Sequence, residues 1–97
     1  MLNKIIISEA AYSDIDEIFS YISDKLFSPK AAGKLTDKIF DSIERLRDFS
    51  LIGAAPENEV LTAKGYRFLP VDNYLVFYIP KNKEVRVVRV IYGRRDW

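Results

Sequence analysis

Apolar residues in the first half of the chain recur every three or four positions. In the last third they alternate or run together. The first rhythm belongs to helices with one buried stripe, the second to strands. Residues 4–8, dominated by Ile5, Ile6 and Ile7, read as an opening strand. Ser8 can then cap a helix, with Glu9 in its first turn, where a carboxylate meets unsatisfied N–H groups. Ile15, Ile18, Phe19, Ile22 and Leu26 make one helical stripe, and Asp14, Asp16, Glu17 and Asp24 lie mostly off it. Tyr12 and Tyr21 fall at its margin. Ser28-Pro29 restarts a helix, because serine caps and proline is tolerated at the first helical position. Ala32, Leu35, Ile39, Ile43, Leu46 and Phe49 share one face of this second helix. With only one or two residues between them, the helices must form an antiparallel hairpin.

The periodicity breaks over residues 50–65, where Gly53, Pro56, Asn58 and Gly65 mark a long loop with room for a short strand or turn. Residues 66–71, residues 74–79 and Glu84–Tyr92 are then rich in aromatic and β-branched side chains. Asp72-Asn73 and residues 80–83 suit hairpin turns. The expected fold is α+β, in the order β-α-α-β-β-β. An antiparallel sheet carries the two-helix hairpin on one face, and the first strand adds to that sheet. Within residues 74–79, the odd positions Leu75, Phe77 and Ile79 are expected to meet the helices, with Tyr74, Val76 and Tyr78 outward. Arg86 and Arg89 differ in parity, so a regular strand cannot present both on one face. A bulge, or an arginine reaching past the sheet edge, would resolve the conflict.

Ninety-seven residues make one domain, residues 1–97, with a single core and little room for a deep pocket. There is no cysteine, so neither a disulfide framework nor a thiolate metal site can form. This fits a cytoplasmic protein. There is no histidine either, so proton transfer would fall to Tyr, Lys, Asp or Glu, and neither a metal nor a cofactor is expected. The run Ile5-Ile6-Ile7 is too short for a signal peptide or a membrane span. The net charge of +1 hides an asymmetry. Residues 1–63 hold seven Lys/Arg against eleven Asp/Glu, and residues 64–97 hold eight against three. A positive field on the C-terminal third suits an anionic partner such as RNA, DNA or an acidic protein segment. The same residues also suit a charged edge strand kept from aggregating.

The segment from Val85 to Trp97 carries Arg86, Arg89, Arg94 and Arg95 together with Tyr92 and Trp97. Guanidinium forks match phosphates, and aromatic rings can stack on unpaired bases. Gly93 frees the backbone to turn just before Arg94-Arg95. A solvated tail with Trp97 packed back on the core accounts for the same composition. Asp14, Asp16, Glu17 and Asp24 are scattered by helical spacing and read as a solvated face rather than a carboxylate site. Lys64-Gly65 lies where a phosphate could be oriented, without a phosphate-loop signature.

Gly65-Tyr66-Arg67, the run from Val71 to Tyr78, and the run from Val88 to Asp96 together resemble the RelE/ParE superfamily of toxins from bacterial type II toxin–antitoxin modules. The resemblance spans nearly the whole chain, and the ending around Gly93 is similar to the ParE type. It implies a growth-inhibiting protein neutralised by a cognate antitoxin. It also implies one of two targets: DNA gyrase for ParE-like members, or ribosome-bound mRNA for RelE-like endonucleases. For a nuclease, the family pattern carries over to Arg67 and Arg94 as cations and Tyr92 as an acid/base candidate. Lys64, Arg67, Arg86, Arg89, Arg94, Arg95 and Trp97 are the expected target- or antitoxin-binding residues. Two departures bear on the choice. RNA-cutting members usually carry a second basic residue where this chain has Leu69, and an arginine where it has Leu75. The missing cations favour the ParE-like alternative.

Overall fold

A computed structural model of the chain describes residues 2–93, and Arg94, Arg95 and Trp97 lie outside that range. Strand β1 (Lys4–Ile7) leads into helix α1 (Glu9–Ser20), which runs on through a π-helical turn, Tyr21–Lys25. Helix α2 (Pro29–Arg45) returns antiparallel. The one-turn helix α3 (Glu59–Ala63) precedes strands β2 (Arg67–Val71), β3 (Tyr74–Lys81) and β4 (Glu84–Tyr92). The sheet order is β1-β4-β3-β2. The hairpins β2–β3 and β3–β4 are antiparallel, as expected, and β1 joins the edge parallel to β4, which makes the sheet mixed. A parallel neighbour needs a long crossover, and the helical hairpin within residues 8–66 supplies it. No helix among the described residues is long and apolar enough to cross a membrane.

Ser8 caps α1 as the sequence suggests: its Oγ accepts from the Ala11 N–H at 3.0 Å and donates to the Val88 carbonyl at 2.8 Å. One hydroxyl thus ties the start of α1 to β4. Ser28 differs. Its side chain makes no capping bond, and Pro29 at the first turn and the Ser28 carbonyl accepting from Ala32 start α2 instead. The inter-helix loop is three residues, because the π-helical turn closes at Lys25. Phe27 sits there at φ 52° and is 87% exposed.

The core joins Ala11, Ile15 and Ile18 of α1 to Leu35, Ile39 and Ile43 of α2 and to the sheet. Phe19 and Leu26, expected on the α1 stripe, are exposed, as is Phe49 beyond the end of α2. Ile15 and Ile18 already define the buried face, and Phe19 lies about 100° around from Ile18. Residues 46–66 hold more order than their composition predicts. Ala54 bridges to Phe68, and the Asn58 side chain accepts from Val60 and Leu61 to cap α3.

The expected facing of β3 is reversed. Val76 and Tyr78 are fully buried and meet the helices with Tyr74 beside them, whereas Leu75 and Phe77 pack with Phe68 in a second cluster. Strand β3 is apolar on both faces, so alternation alone cannot say which side the helices take. In β4 the register shifts between the pairs Phe77↔Arg89 and Tyr78↔Val87. Val88 is the extra residue of this bulge. It lets Val85, Val87 and Val90 all enter the core despite their mixed parity, and it puts Arg86 and Arg89 on the same face.

Candidate interaction surface

Tyr78 reaches from the middle of the sheet to the loop after α2, where its hydroxyl accepts the Gly53 N–H at 2.9 Å. Arg67, opposite Tyr78 in the ladder, donates through Nη1 to the carbonyls of Gly53 at 2.6 Å and Leu51 at 3.2 Å. Residues 51–53 are therefore clamped by one phenol and one guanidinium. Burial raises the Tyr78 pKa, opposed in part by the Gly53 N–H and the Arg67 charge, so the phenol stays protonated. A Cβ on Gly53 would lie 2.6 Å from the Tyr78 hydroxyl oxygen and 2.7 Å from the Phe68 carbonyl oxygen, so only glycine fits.

Arg89 makes a bidentate contact with Asp14 of α1, Nε to Oδ2 at 2.7 Å and Nη2 to Oδ1 at 2.8 Å. The same Oδ2 accepts the Val90 N–H at 2.9 Å. Burial pushes the Asp14 pKa up, but the bonds from Arg89 and Val90 and the Arg89 charge outweigh it and hold the carboxyl below its ordinary value. Arg86 lies two residues from Glu84 on the same face and pairs with it at 3.1 Å. Lys64 is exposed at the end of α3 and makes no ion pair among the described residues. Tyr92 is 72% exposed and meets Tyr74 edge-on, with ring centroids 5.4 Å apart.

The expected nuclease residues are not gathered in one place. Arg67 stands opposite Tyr78 and Tyr92 opposite Tyr74. The two positions are four steps apart along β3, about 13 Å at strand rise. Arg94, the third candidate, is not among the described residues. Arg67, Arg86 and Arg89 each spend donors inside the molecule. The two tyrosines whose titration is displaced, Tyr74 and Tyr78, are both shifted upward, away from the range of a base at neutral pH. For Tyr74 the cause is burial first, then the neighbouring Tyr92 and Tyr21.

Sequence reading missed the part played by Asp14 and by the Gly53–Tyr78 contact. The parity conflict between Arg86 and Arg89 was a signal for the first, since an arginine displaced at a bulge seeks an off-stripe carboxylate. A glycine isolated in a long loop was a weaker signal for the second.

The family model for "ParE toxin of type II toxin-antitoxin system, parDE" matches residues 5–97. The sheet with its helical hairpin and the match along the chain define a type II toxin of the RelE/ParE superfamily. Within that class the chain belongs to the ParE toxin family. Three solved structures share the fold. The chromosomal ParDE toxin–antitoxin system from P. aeruginosa superposes with TM-score 0.79 at 22% identity, covering 96% of this chain and 98% of that one. The YoeB/ParE toxin from Agrobacterium tumefaciens gives TM-score 0.63 at 13% identity over 94% and 99%. The RelBE2 toxin–antitoxin complex from Mycobacterium tuberculosis gives 0.61 at 15% over 99% and 95%. No curated protein matches the chain significantly in sequence.

Proposed function

We propose that this toxin arrests growth in the cytoplasm by binding a protein target, DNA gyrase, without catalysis, and that a cognate antitoxin neutralises it. The observation that carries the reading is the commitment of Arg67. Its guanidinium holds the Leu51 and Gly53 carbonyls and lies a ladder's length from Tyr92. Cleavage of RNA by its own 2′-hydroxyl needs cations and a proton acceptor converging on one phosphate. Leu69 and Leu75, where RNA-cutting members carry basic residues, support the same reading.

In a supercoiling assay, the purified protein is expected to inhibit gyrase in proportion to toxin added. In cell-free translation it is expected to leave message intact. Full supercoiling at any excess of toxin, with cleaved message, would overturn the proposal.

We infer that the antitoxin docks through the basic residues Lys64, Arg67, Arg86, Arg89, Arg94 and Arg95 together with Trp97, of which Arg94, Arg95 and Trp97 lie outside the described residues. Covering these residues is the simplest route to neutralisation. Arg94→Glu should weaken the complex by about tenfold or more, as removal of a charge-assisted contact does. Titration calorimetry with the antitoxin reads this directly, and unchanged affinity would refute it. Arg89→Glu is a less clean variant, because it also sets two carboxylates together at Asp14.

A further inference from the structure

The π-helical turn after α1 closes with the Leu26 N–H on the Tyr21 carbonyl at 3.3 Å and the Ser28 N–H on the Ile22 carbonyl at 3.1 Å. Between those two bonds the chain turns through the left-handed conformation at residue 27. Helices usually place glycine at such a position, and sometimes asparagine, because neither is strained there. This chain places phenylalanine there, at φ 52°. A bulky side chain in that region is a true outlier, held only where the surrounding bonds over-determine it. The fold gives little burial in return. Phe27 is more exposed than any other large apolar side chain among the described residues and belongs to neither core cluster. Its neighbour Leu26 lines the groove beside Tyr74 and Tyr92, and Phe27 does not.

The two flanks of this hairpin tip differ in sign. On the α1 side, Asp16, Glu17 and Asp24 share one shallow depression with Lys25. On the α2 side, Lys30 and Lys34 stand exposed in the first two turns. Among the described residues none of these six charges is in an ion pair. A polyanion, whether a nucleic acid or an anionic membrane, would gain on one flank and lose on the other. A protein surface can match both.

We infer that Phe27 is the anchor by which the toxin grips its growth-inhibition target, entering an apolar pocket of a protein whose rim is acidic toward α2 and basic toward α1. The inference rests on the reading that the target is a protein. A single aromatic ring in a fitted pocket carries a large share of an interface's binding energy, with charged groups around it setting orientation. The backbone bonds on either side of Phe27 fix its Cα before the partner arrives, so little ordering remains to be done on binding. Glycine at this position would relieve the strain and remove the ring, so the strain is the cost of presenting an aromatic side chain at the tip.

The test compares Phe27→Gly and Phe27→Asn, which suit the left-handed position, with Phe27→Tyr, which keeps the ring. The two variants without a ring should unfold in urea at or above the parent's midpoint. They should need about tenfold more protein to inhibit gyrase supercoiling, and should no longer arrest growth when induced without antitoxin. Phe27→Tyr should stay within about threefold of the parent in the supercoiling assay and still arrest growth. Equal inhibition by the variants without a ring overturns the inference. So does a clearly lowered midpoint, which would give the ring a structural role. Binding to a short DNA duplex or to phosphatidylglycerol vesicles that depends on Phe27 overturns it too, as does loss of antitoxin affinity with growth arrest retained. If the parent leaves gyrase untouched, the gyrase reading fails on its own account. Growth arrest then decides the anchor: its loss in both variants supports Phe27, and full arrest overturns it.

Discussion

Gly53 is the residue where the least substitution should do the most harm. A methyl group there would press on the Tyr78 hydroxyl and on the Phe68 carbonyl, a backbone atom that cannot swing aside. Overpacking of this kind costs about 1–3 kcal/mol, and here it would also open the hydrogen bond from the Gly53 N–H to Tyr78. Gly53→Ala should therefore lower the urea midpoint by the equivalent of roughly 3 kcal/mol. Tyr78→Phe keeps the ring but leaves the buried Gly53 N–H without its acceptor, at a cost of about 1–3 kcal/mol. If Tyr78→Phe denatures like the parent protein, the clamp contributes nothing. Arg67 belongs to the same unit. Its removal should loosen residues 51–53, seen as faster amide exchange there, before it affects anything at the far end of the sheet.

At the scale of elements, Asp14 joins α1 to β4. It accepts from both the side chain of Arg89 and the backbone of Val90, at a point where β4 has lost its strand neighbour. Its carboxyl pKa is lowered by folding, so its contribution is complete above the unfolded value of 3.8. That contribution is lost as pH falls through 3.8 to the lower folded value. Asp14→Asn should cost about 1–2 kcal/mol at pH 7 and progressively less as the pH drops below 4. Parallel acid-unfolding curves for the two proteins would contradict the pairing. The four strands and the two long helices were legible in the sequence, because the isoleucine run, the two helical stripes and the aromatic strands each carry their own period, whereas the short helix α3 lay in what reads as a loop. What could not be read was the side of β3 that meets the helices. Leu75 and Phe77 are as apolar as Val76 and Tyr78, and burial of both faces erases the alternation. The parallel placement of β1 was equally hidden, since four residues say nothing of their neighbour. The bulge at Val88 was half visible, as a conflict between Arg86 and Arg89 that named its own remedies.

The whole molecule carries the charge asymmetry of its sequence, but folding tempers it. Arg89 of β4 is matched by Asp14 of α1, so the acidic first helix and the basic last strand partly neutralise each other where they touch. The candidate site was legible as a set of residue types and not as an assembly. Arg67, Arg86 and Arg89 looked like one basic surface, yet each proves to have work within the fold. This distribution suits a protein that acts by occupying a partner rather than by cleaving a bond. The most direct measurement is the topology of a reporter plasmid after the protein is induced without antitoxin, read beside the 5′ ends of cellular mRNA. Gyrase inhibition predicts relaxed plasmid and unchanged message ends. Normally supercoiled plasmid with newly cut messages would contradict it.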